Sequence, residues 1–377
     1  MTASNRDAAW CRGDEVELSI RELPPMNGKP RFEIEVDSIL NYRSKFGDKL
    51  LCDYLTFSLG SACVASCAYC YVESIVRKHP QVKRLMRLLE QQNLKFEEMV
   101  IVRYDGLRIL REQLTIRKPR TVNLGIKRVI YTSPLVDPAL NPQQADQTLA
   151  ACLIILKLTN WDVRILSKGN FLRRIAERLP ERFHQRVIFG HSTGILGDAC
   201  AAIEEGTATL ARRIADHYWL QDQGFRTFGM LCPILPCADV DDEVSRLAAM
   251  VRAERCEHVW AEVINLRGRS MRRTQQALRR ADKPELMALA ERVQGVSGKN
   301  SVAWEAYARG TFEACARYIP AEKLRFLQYP NPATLDWWSE QRRQGTVLLG
   351  KVAETAGLAS AHPYWLKKIQ GDQVRMR

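Results

Sequence analysis

The sequence predicts an α/β protein, and three observations carry that reading. β-rich runs alternate with longer helical ones from Tyr54 to Ile264, the pattern of βα units around a parallel sheet. The 377 residues exceed one average domain of roughly 100–200 residues, yet a single α/β barrel reaches that size. Hydrophobic residues make up 46% and charged residues 26%, so a sizeable core can be buried, which excludes a disordered chain or a fibrous repeat.

Six strands are expected, at Tyr54 to Leu59, Arg128 to Thr132, Asp162 to Leu166, Arg186 to Gly190, Phe225 to Leu231 and His258 to Ile264. Crossover helices fit Pro80 to Gln92, Gln143 to Leu158, Asn170 to Arg178, Thr207 to Gln223 and Asp239 to Glu254. In the fourth, Leu210, Ile214, His217 and Tyr218 recur at helical spacing, and Gly224 stands where a terminating glycine belongs. The interval from Cys63 to Arg128 is too long for one helix and holds a second run near Glu97 to Leu110, so an insertion is expected there. Past Ile264 the strand signal fades. Lys283 to Gln294 reads as an amphipathic helix, and the stretch after Gly298, with Trp304, Tyr307, Phe312, Trp337 and Trp338, reads as a helical cap.

The architecture expected is a partial (β/α)6 TIM-like barrel over residues 51–266, preceded by an N-terminal extension at 1–50. A basic linker and helical C-terminal extension follow at 267–377.

Charge and cysteine usage narrow the setting. The longest apolar run, Leu149 to Leu156, is stopped by Lys157, far short of the roughly 20 residues that cross a bilayer, so no membrane partner is expected. Met1 to Glu15 is mixed in charge and does not read as a secretory signal; a cytoplasmic location is expected. Eleven cysteines are an odd number in a large chain, which points to thiols or metal ligands and not to a disulfide framework. The net charge of +13 suits a polyanionic partner.

The sharpest motif is Gly60-Ser61-Ala62-Cys63-Val64-Ala65-Ser66-Cys67-Ala68-Tyr69-Cys70-Tyr71, with cysteines at C-x3-C-x2-C just after the first expected strand. Thiolates so close together on a loop can converge on one soft-metal centre. Three ligands on a four-iron cubane leave one iron open for a substrate or cofactor. Structural zinc would need a fourth Cys or His at short, paired spacing. His79, nine residues after Cys70, is the nearest histidine, and no second C-x2-C follows.

Cys63, Cys67 and Cys70, with Tyr69 before the third cysteine and the six-strand alternation behind them, resemble the radical S-adenosylmethionine superfamily. The segment Cys67-Ala68-Tyr69-Cys70-Tyr71, the strand-end Thr132-Ser133 with Asp137 nearby, Ser167-Lys168, Ser192-Thr193 and Gly224 to Pro236 are together similar to its spore photoproduct lyase branch. The resemblance covers roughly Tyr54 to Asn265. It implies a [4Fe–4S] cluster on Cys63, Cys67 and Cys70 and S-adenosyl-L-methionine on the open iron. It also implies reductive cleavage to a 5′-deoxyadenosyl radical, fed by an electron donor such as flavodoxin or ferredoxin.

Active sites on such sheets lie at the carboxyl ends of the strands, which selects Ser133, Lys168, Ser192, Thr193, Cys232, Glu262 and Asn265. By resemblance, Ser133, Lys168 and Ser192 contact S-adenosylmethionine, with Thr193 beside them and Lys168 suited to its carboxylate. Each serine equally suits a turn cap. Tyr69 and Tyr71 are either core aromatics beside the cluster or, by resemblance, a cofactor contact and a participant in radical transfer. The branch carries a hydrogen-donating cysteine two residues before the strand-end serine; here that position is Tyr131. Cys232 or Cys237 could replace the donor, although buried inert thiols are the commoner case.

Arg267 to Arg280 holds six arginines and no acid, so Arg272 and Arg273 are candidate phosphate contacts, and Glu262 and Asn265 candidate substrate contacts. A solvated face is the alternative for such a charge run. Three functions stay open: a radical enzyme modifying a nucleic-acid base; a radical enzyme on a small molecule or peptide, including 3-amino-3-carboxypropyl transfer; and a non-enzymatic iron–sulfur or zinc-binding protein.

Overall fold

The computed structural model describes residues 20–76, 80–90, 93–116, 122–132, 134–264, 269–295, 302–330 and 332–350. The chain divides into two compact units, residues 1–47 with 51–187, and residues 48–50 with 188–377.

The first unit contains two sheets. One has the order β1 (Ile20–Met26), β2 (Lys29–Ile34), β6 (Val100–Arg103), β5 (Gly60–Ala62). The other runs β3 (Leu40–Asn41), β4 (Leu55–Phe57), β7 (Val129–Thr132), β8 (Asp162–Ser167), and its last three strands are parallel. The helices of this unit are α1 (Val72–Val76), α2 (Pro80–Glu90), α3 (Gly106–Thr115), α4 (Pro142–Leu158) and α5 (Leu172–Glu177). Helix α4 starts where Pro142 supplies a preset φ and the Asn141 side chain accepts the Gln144 N–H at 2.9 Å, satisfying one of the orphan donors of the first turn. The apolar alternation of β2 and β6 buries Phe32, Ile34 and Ile101 against Val72, Val76, Leu85 and Met86.

In the second unit the parallel strands β9 (Val187–Ser192), β10 (Arg226–Ile234), β11 (Val259–Val263), β12 (Leu324–Gln328) and β13 (Val347–Leu349) lie side by side in chain order. The helices are α6 (Gly197–Ile203), α7 (Leu210–Asp222), α8 (Val240–Met250), α9 (Ser270–Arg280), α10 (Pro284–Gln294), α11 (Val302–Tyr318) and α12 (Leu335–Arg343). Helix α7 ends as its sequence demands: Gly224 takes φ 77°, and the Phe225 N–H reaches back to the Leu220 carbonyl at 3.0 Å. Leu231, Ala261, Phe326 and Val347 turn to one face and meet Leu247 of α8, Phe312 of α11 and Trp338 of α12 in one core.

The α/β class is as expected, and all six expected strands form within a few residues of their expected bounds. Three differences have physical causes. The residues before 50 contribute the β1–β2 hairpin, whose partner β6 lies in the inserted segment read as helical; four residues, VIVR, are too few for periodicity to separate strand from helix. The region after Gly298 is not wholly helical. β12 and β13 extend the parallel run, and both are buried throughout, so no apolar–polar alternation marks them. Thirdly, the basic run at 270–280 is helix α9 and not a linker: Met271, Thr274, Ala277 and Leu278 form its buried stripe.

No helix among the described residues is long and apolar enough to cross a membrane.

Candidate functional site

In the first unit the three cysteines lie on the loop between β5 and α1, Cys67 buried and Cys63 and Cys70 half-buried. The loop turns at Ser66, which takes φ 49°, and closes through a Cys70 N–H to Cys67 carbonyl bond of 3.0 Å. Lys29 of β2 pins it: the ammonium donates to the Val64 carbonyl at 3.2 Å, to the Glu97 carbonyl at 2.8 Å and to the Ser66 hydroxyl. An ammonium has three donors and no acceptor, so this geometry uses its full capacity.

The carboxyl ends of β7 and β8 meet the same loop. The main chain of Asp137 lies beside the Cys63 sulfur, as does that of Ala65, close enough to favour its thiolate. The Asp137 carboxylate accepts from the Ser167 hydroxyl at 2.6 Å, the Lys168 N–H at 2.6 Å and the Ala139 N–H at 2.9 Å. Burial raises the Asp137 pKa, while these donors act in the opposite direction. Gly169 allows the approach, since a Cβ there would stand 1.9 Å from the Ala139 carbonyl oxygen. The Lys168 ammonium lies 5.4 Å from the centre of the Tyr69 ring. Tyr71 gives its hydroxyl proton to the Pro134 carbonyl at 2.9 Å, and its ring is 6.3 Å from that of Phe46.

The donor chemistry suits an iron–sulfur cluster. The ten described cysteines are all free thiols, and Cys63 and Cys70 are near enough to couple electrostatically. Burial, followed by Cys70, pushes the Cys63 thiol up to about 11. No three His, Cys, Asp or Glu side chains converge on a single-ion site among the described residues. A zinc ion with sulfurs at about 2.3 Å would draw its donors within about 4 Å of one another; cysteines that each take a separate iron of a cubane stand further apart.

In the second unit, register places another group at strand ends. Ser192 pairs with Met230, and Met230 with Trp260. Cys232 and Glu262 follow two residues later, so they share that face, opposite the helix-packed core. The Ser192 hydroxyl donates to the Cys232 carbonyl at 3.0 Å, and its oxygen keeps acceptor capacity. Thr193, 1% exposed, has a buried hydroxyl with no hydrogen-bond partner among the described residues, which leaves it able to serve a ligand. Glu262 lies 3.6 Å from the Lys49 ammonium, which also bonds Tyr329, and the Trp260 indole donates to the Lys49 carbonyl at 2.7 Å. Cys232 is half-buried, its sulfur 4.0 Å from the Trp260 carbonyl oxygen. On α9, Arg272 is exposed and Arg273 half-buried.

Ser133, Asn265, Arg267 and His79 lie outside the described residues. Tyr131, at the donor-cysteine position, is 4% exposed and its ring packs 5.5 Å from that of Phe46. Lys29, Lys49 and Tyr329 escaped the sequence reading: each is a common residue type far in sequence from its partners, with no spacing signal to mark it.

No family model matches the sequence, and neither does any curated protein. Among solved structures, the chain is similar to a double mutant of spore photoproduct lyase with bound AdoMet and dinucleoside spore photoproduct. The identity is 14%, with 71% of this chain and 74% of that chain covered and a TM-score of 0.47. Spore photoproduct lyase complexed with dinucleoside spore photoproduct shows 13% identity, the same coverage and a TM-score of 0.45. A single-substitution mutant of that enzyme with dinucleoside spore photoproduct shows 14% identity and a TM-score of 0.48.

Proposed function

We propose that this chain is a radical S-adenosylmethionine enzyme, with a [4Fe–4S] cluster held by Cys63, Cys67 and Cys70 and S-adenosyl-L-methionine as its second cofactor. The observation that carries the reading is that one loop presents all three thiols while Asp137, beside Cys63, accepts the main-chain N–H of Lys168. When bound, the reduced cluster supplies the electron that cleaves the sulfonium of S-adenosylmethionine and opens radical chemistry.

The residues of the chain bind and orient. Lys168 offers an ammonium to the carboxylate of S-adenosylmethionine, and Tyr69, beside that ammonium, limits where it can swing. The resemblance assigns the amino and ribose hydroxyl groups of the cofactor to the strand-end hydroxyls of Ser133, Ser192 and Thr193. Tyr71, tied to Pro134, supports the loop wall, and a redox role for its phenol remains part of this proposal. Flavodoxin or ferredoxin is the electron donor class, and the free thiols suit a reducing, cytoplasmic compartment.

For the substrate, the exposed arginines of α9 and the net charge of +13 favour a nucleic acid, with Arg272 and Arg273 on phosphates. Glu262, with Asn265 beyond it, would contact the base, and Cys232 is the hydrogen-donor candidate. One observation favours a second reading, a small-molecule or peptide substrate, including 3-amino-3-carboxypropyl transfer. Tyr131, where the branch has its donor cysteine, is packed into the core and is no replacement thiol.

The test is anaerobic reconstitution with iron and sulfide, reduction with dithionite and addition of S-adenosylmethionine, beside a Cys67→Ala control. Appearance of 5′-deoxyadenosine and methionine with the wild-type protein alone supports the reading. Release of 5′-methylthioadenosine moves it to the transfer reaction, and no cleavage by a fully clustered protein, with or without nucleic acid, overturns it.

A further inference from the structure

Asp137 lies between the cysteine loop and the end of β8. Its main chain and side chain face two different groups. The main chain lies beside the Cys63 sulfur, while the half-buried carboxylate accepts from the Ser167 hydroxyl and the main-chain N–H of Lys168, each at 2.6 Å. The third bond, from the Ala139 N–H at 2.9 Å, closes the turn that carries Asp137 itself. The Ser167 hydroxyl also accepts the Gly169 N–H at 2.8 Å, so both main-chain donors flanking the root of Lys168 run into one carboxylate-centred network.

Withdrawing a carboxylate partly from water is costly unless hydrogen bonds compensate for the lost hydration, and here the compensation comes from groups that set the course of Lys168. A solvent-exposed aspartate could cap the same turn at Ala139 at lower cost. Placing it between Cys63 and Lys168 makes sense as a way to hold the two in one geometry.

We propose that Asp137 is a positioning residue that fixes Lys168 relative to the Cys63 thiolate, so that cluster and S-adenosylmethionine carboxylate are held in mutual register. The proposal rests on the cofactor reading above and adds a residue to it.

The test uses the amide. In Asp137→Asn the carbonyl oxygen keeps the Ser167 and Ala139 bonds, the main chain beside Cys63 is untouched, and the amide nitrogen confronts the Lys168 N–H as donor against donor. The reconstituted protein is expected to retain wild-type iron content and the cluster absorption near 400 nm. Its Kd for S-adenosylmethionine, measured anaerobically by equilibrium dialysis, should rise about tenfold, the loss typical of a charge-assisted bond. Ser167→Ala, which removes one donor and creates no clash, serves as the second variant and should weaken binding about threefold at unchanged iron content and Tm.

Unchanged affinity in both variants overturns the assignment, as does loss of iron in Ser167→Ala, which would make the network a support for the loop only. Failure of the wild-type protein to bind S-adenosylmethionine with a full cluster instead removes the cofactor reading, and the positioning role with it.

Discussion

The ammonium of Lys168 lies 5.4 Å from the centre of the Tyr69 ring, so the candidate carboxylate anchor stands beside the residue that precedes the third cysteine. A cation over a ring is attracted by the ring's negative face, by about 0.5–1 kcal/mol at exposed sites and about 2 kcal/mol or more when desolvated. The contact ties the end of β8 to the cysteine loop.

Replacing Lys168 with methionine should therefore weaken S-adenosylmethionine binding by about tenfold to a hundredfold while leaving iron content unchanged. Tyr69→Leu should weaken it about threefold. Equilibrium dialysis with the reconstituted protein measures both, and equal affinity in Lys168→Met would remove the lysine from the site.

Single alanine substitutions at Cys63, Cys67 or Cys70 should each abolish the cluster absorption and bound iron. Cys152→Ala and Cys315→Ala, at fully buried positions, should keep the iron and lose only packing, about 1–2 kcal/mol in denaturant unfolding. Iron retained in all three loop variants would place the metal elsewhere.

Glu204 and Arg213 form an ion pair at 2.5 Å with side chains 3% and 1% exposed, and Arg213 also donates to the Ser192 carbonyl at 2.7 Å. Glu204→Ala leaves a buried guanidinium uncompensated and should cost about 3–5 kcal/mol of stability, read by urea unfolding. A loss below about 1 kcal/mol would show that the pair is dispensable.

His217, enclosed in the second unit with its ring centre 5.7 Å from that of His191, has its pKa lowered to about 3, first by burial and then by His191. The Val251 carbonyl at 3.3 Å acts in the opposite direction, and Arg252 and Arg255 add to the lowering. The unfolded chain binds the proton below about pH 6.5 while the folded one stays neutral, so the folded state is fully favoured above that value. Stability should fall as pH drops from about 6.5 toward 3. Relative to His217→Gln, the wild-type protein should lose about 2 kcal/mol between pH 7 and pH 5; parallel stability–pH curves for the two proteins would contradict it.

Arg272 and Arg273 should govern any polyanion binding. Changing both to glutamine should reduce the slope of log affinity against log salt by roughly 2 for double-stranded DNA, since each neutralised phosphate contributes about 0.9. Fluorescence anisotropy across a salt series measures it. An unaltered slope would assign α9 to a solvated face.

How much was legible in advance follows from what each signal depends on. The strands from Leu55–Phe57 to Val259–Val263 stood out because each is flanked by turn residues and followed by a helix long enough to show its period. Leu324–Gln328 and Val347–Leu349 did not, because strands buried on both faces lose alternation and are as short as any apolar fragment. The three cysteines were readable because a cluster loop takes its ligands within one turn of chain, so spacing alone encodes it.

The sequence by itself determined the α/β class, the cysteine loop and the strand-end positions at which Lys168, Thr193 and Glu262 stand, since all of these follow from local order along the chain. Only the tertiary structure decided that Lys29 clasps the loop, that Asp137 beside Cys63 accepts from Lys168, that Lys49 faces Glu262, and that the Ser192 hydroxyl donates to the Cys232 carbonyl. Those partners are mostly brought together from distant segments by packing, and hydrogen bonds made across such distances leave no period or spacing in the sequence to read.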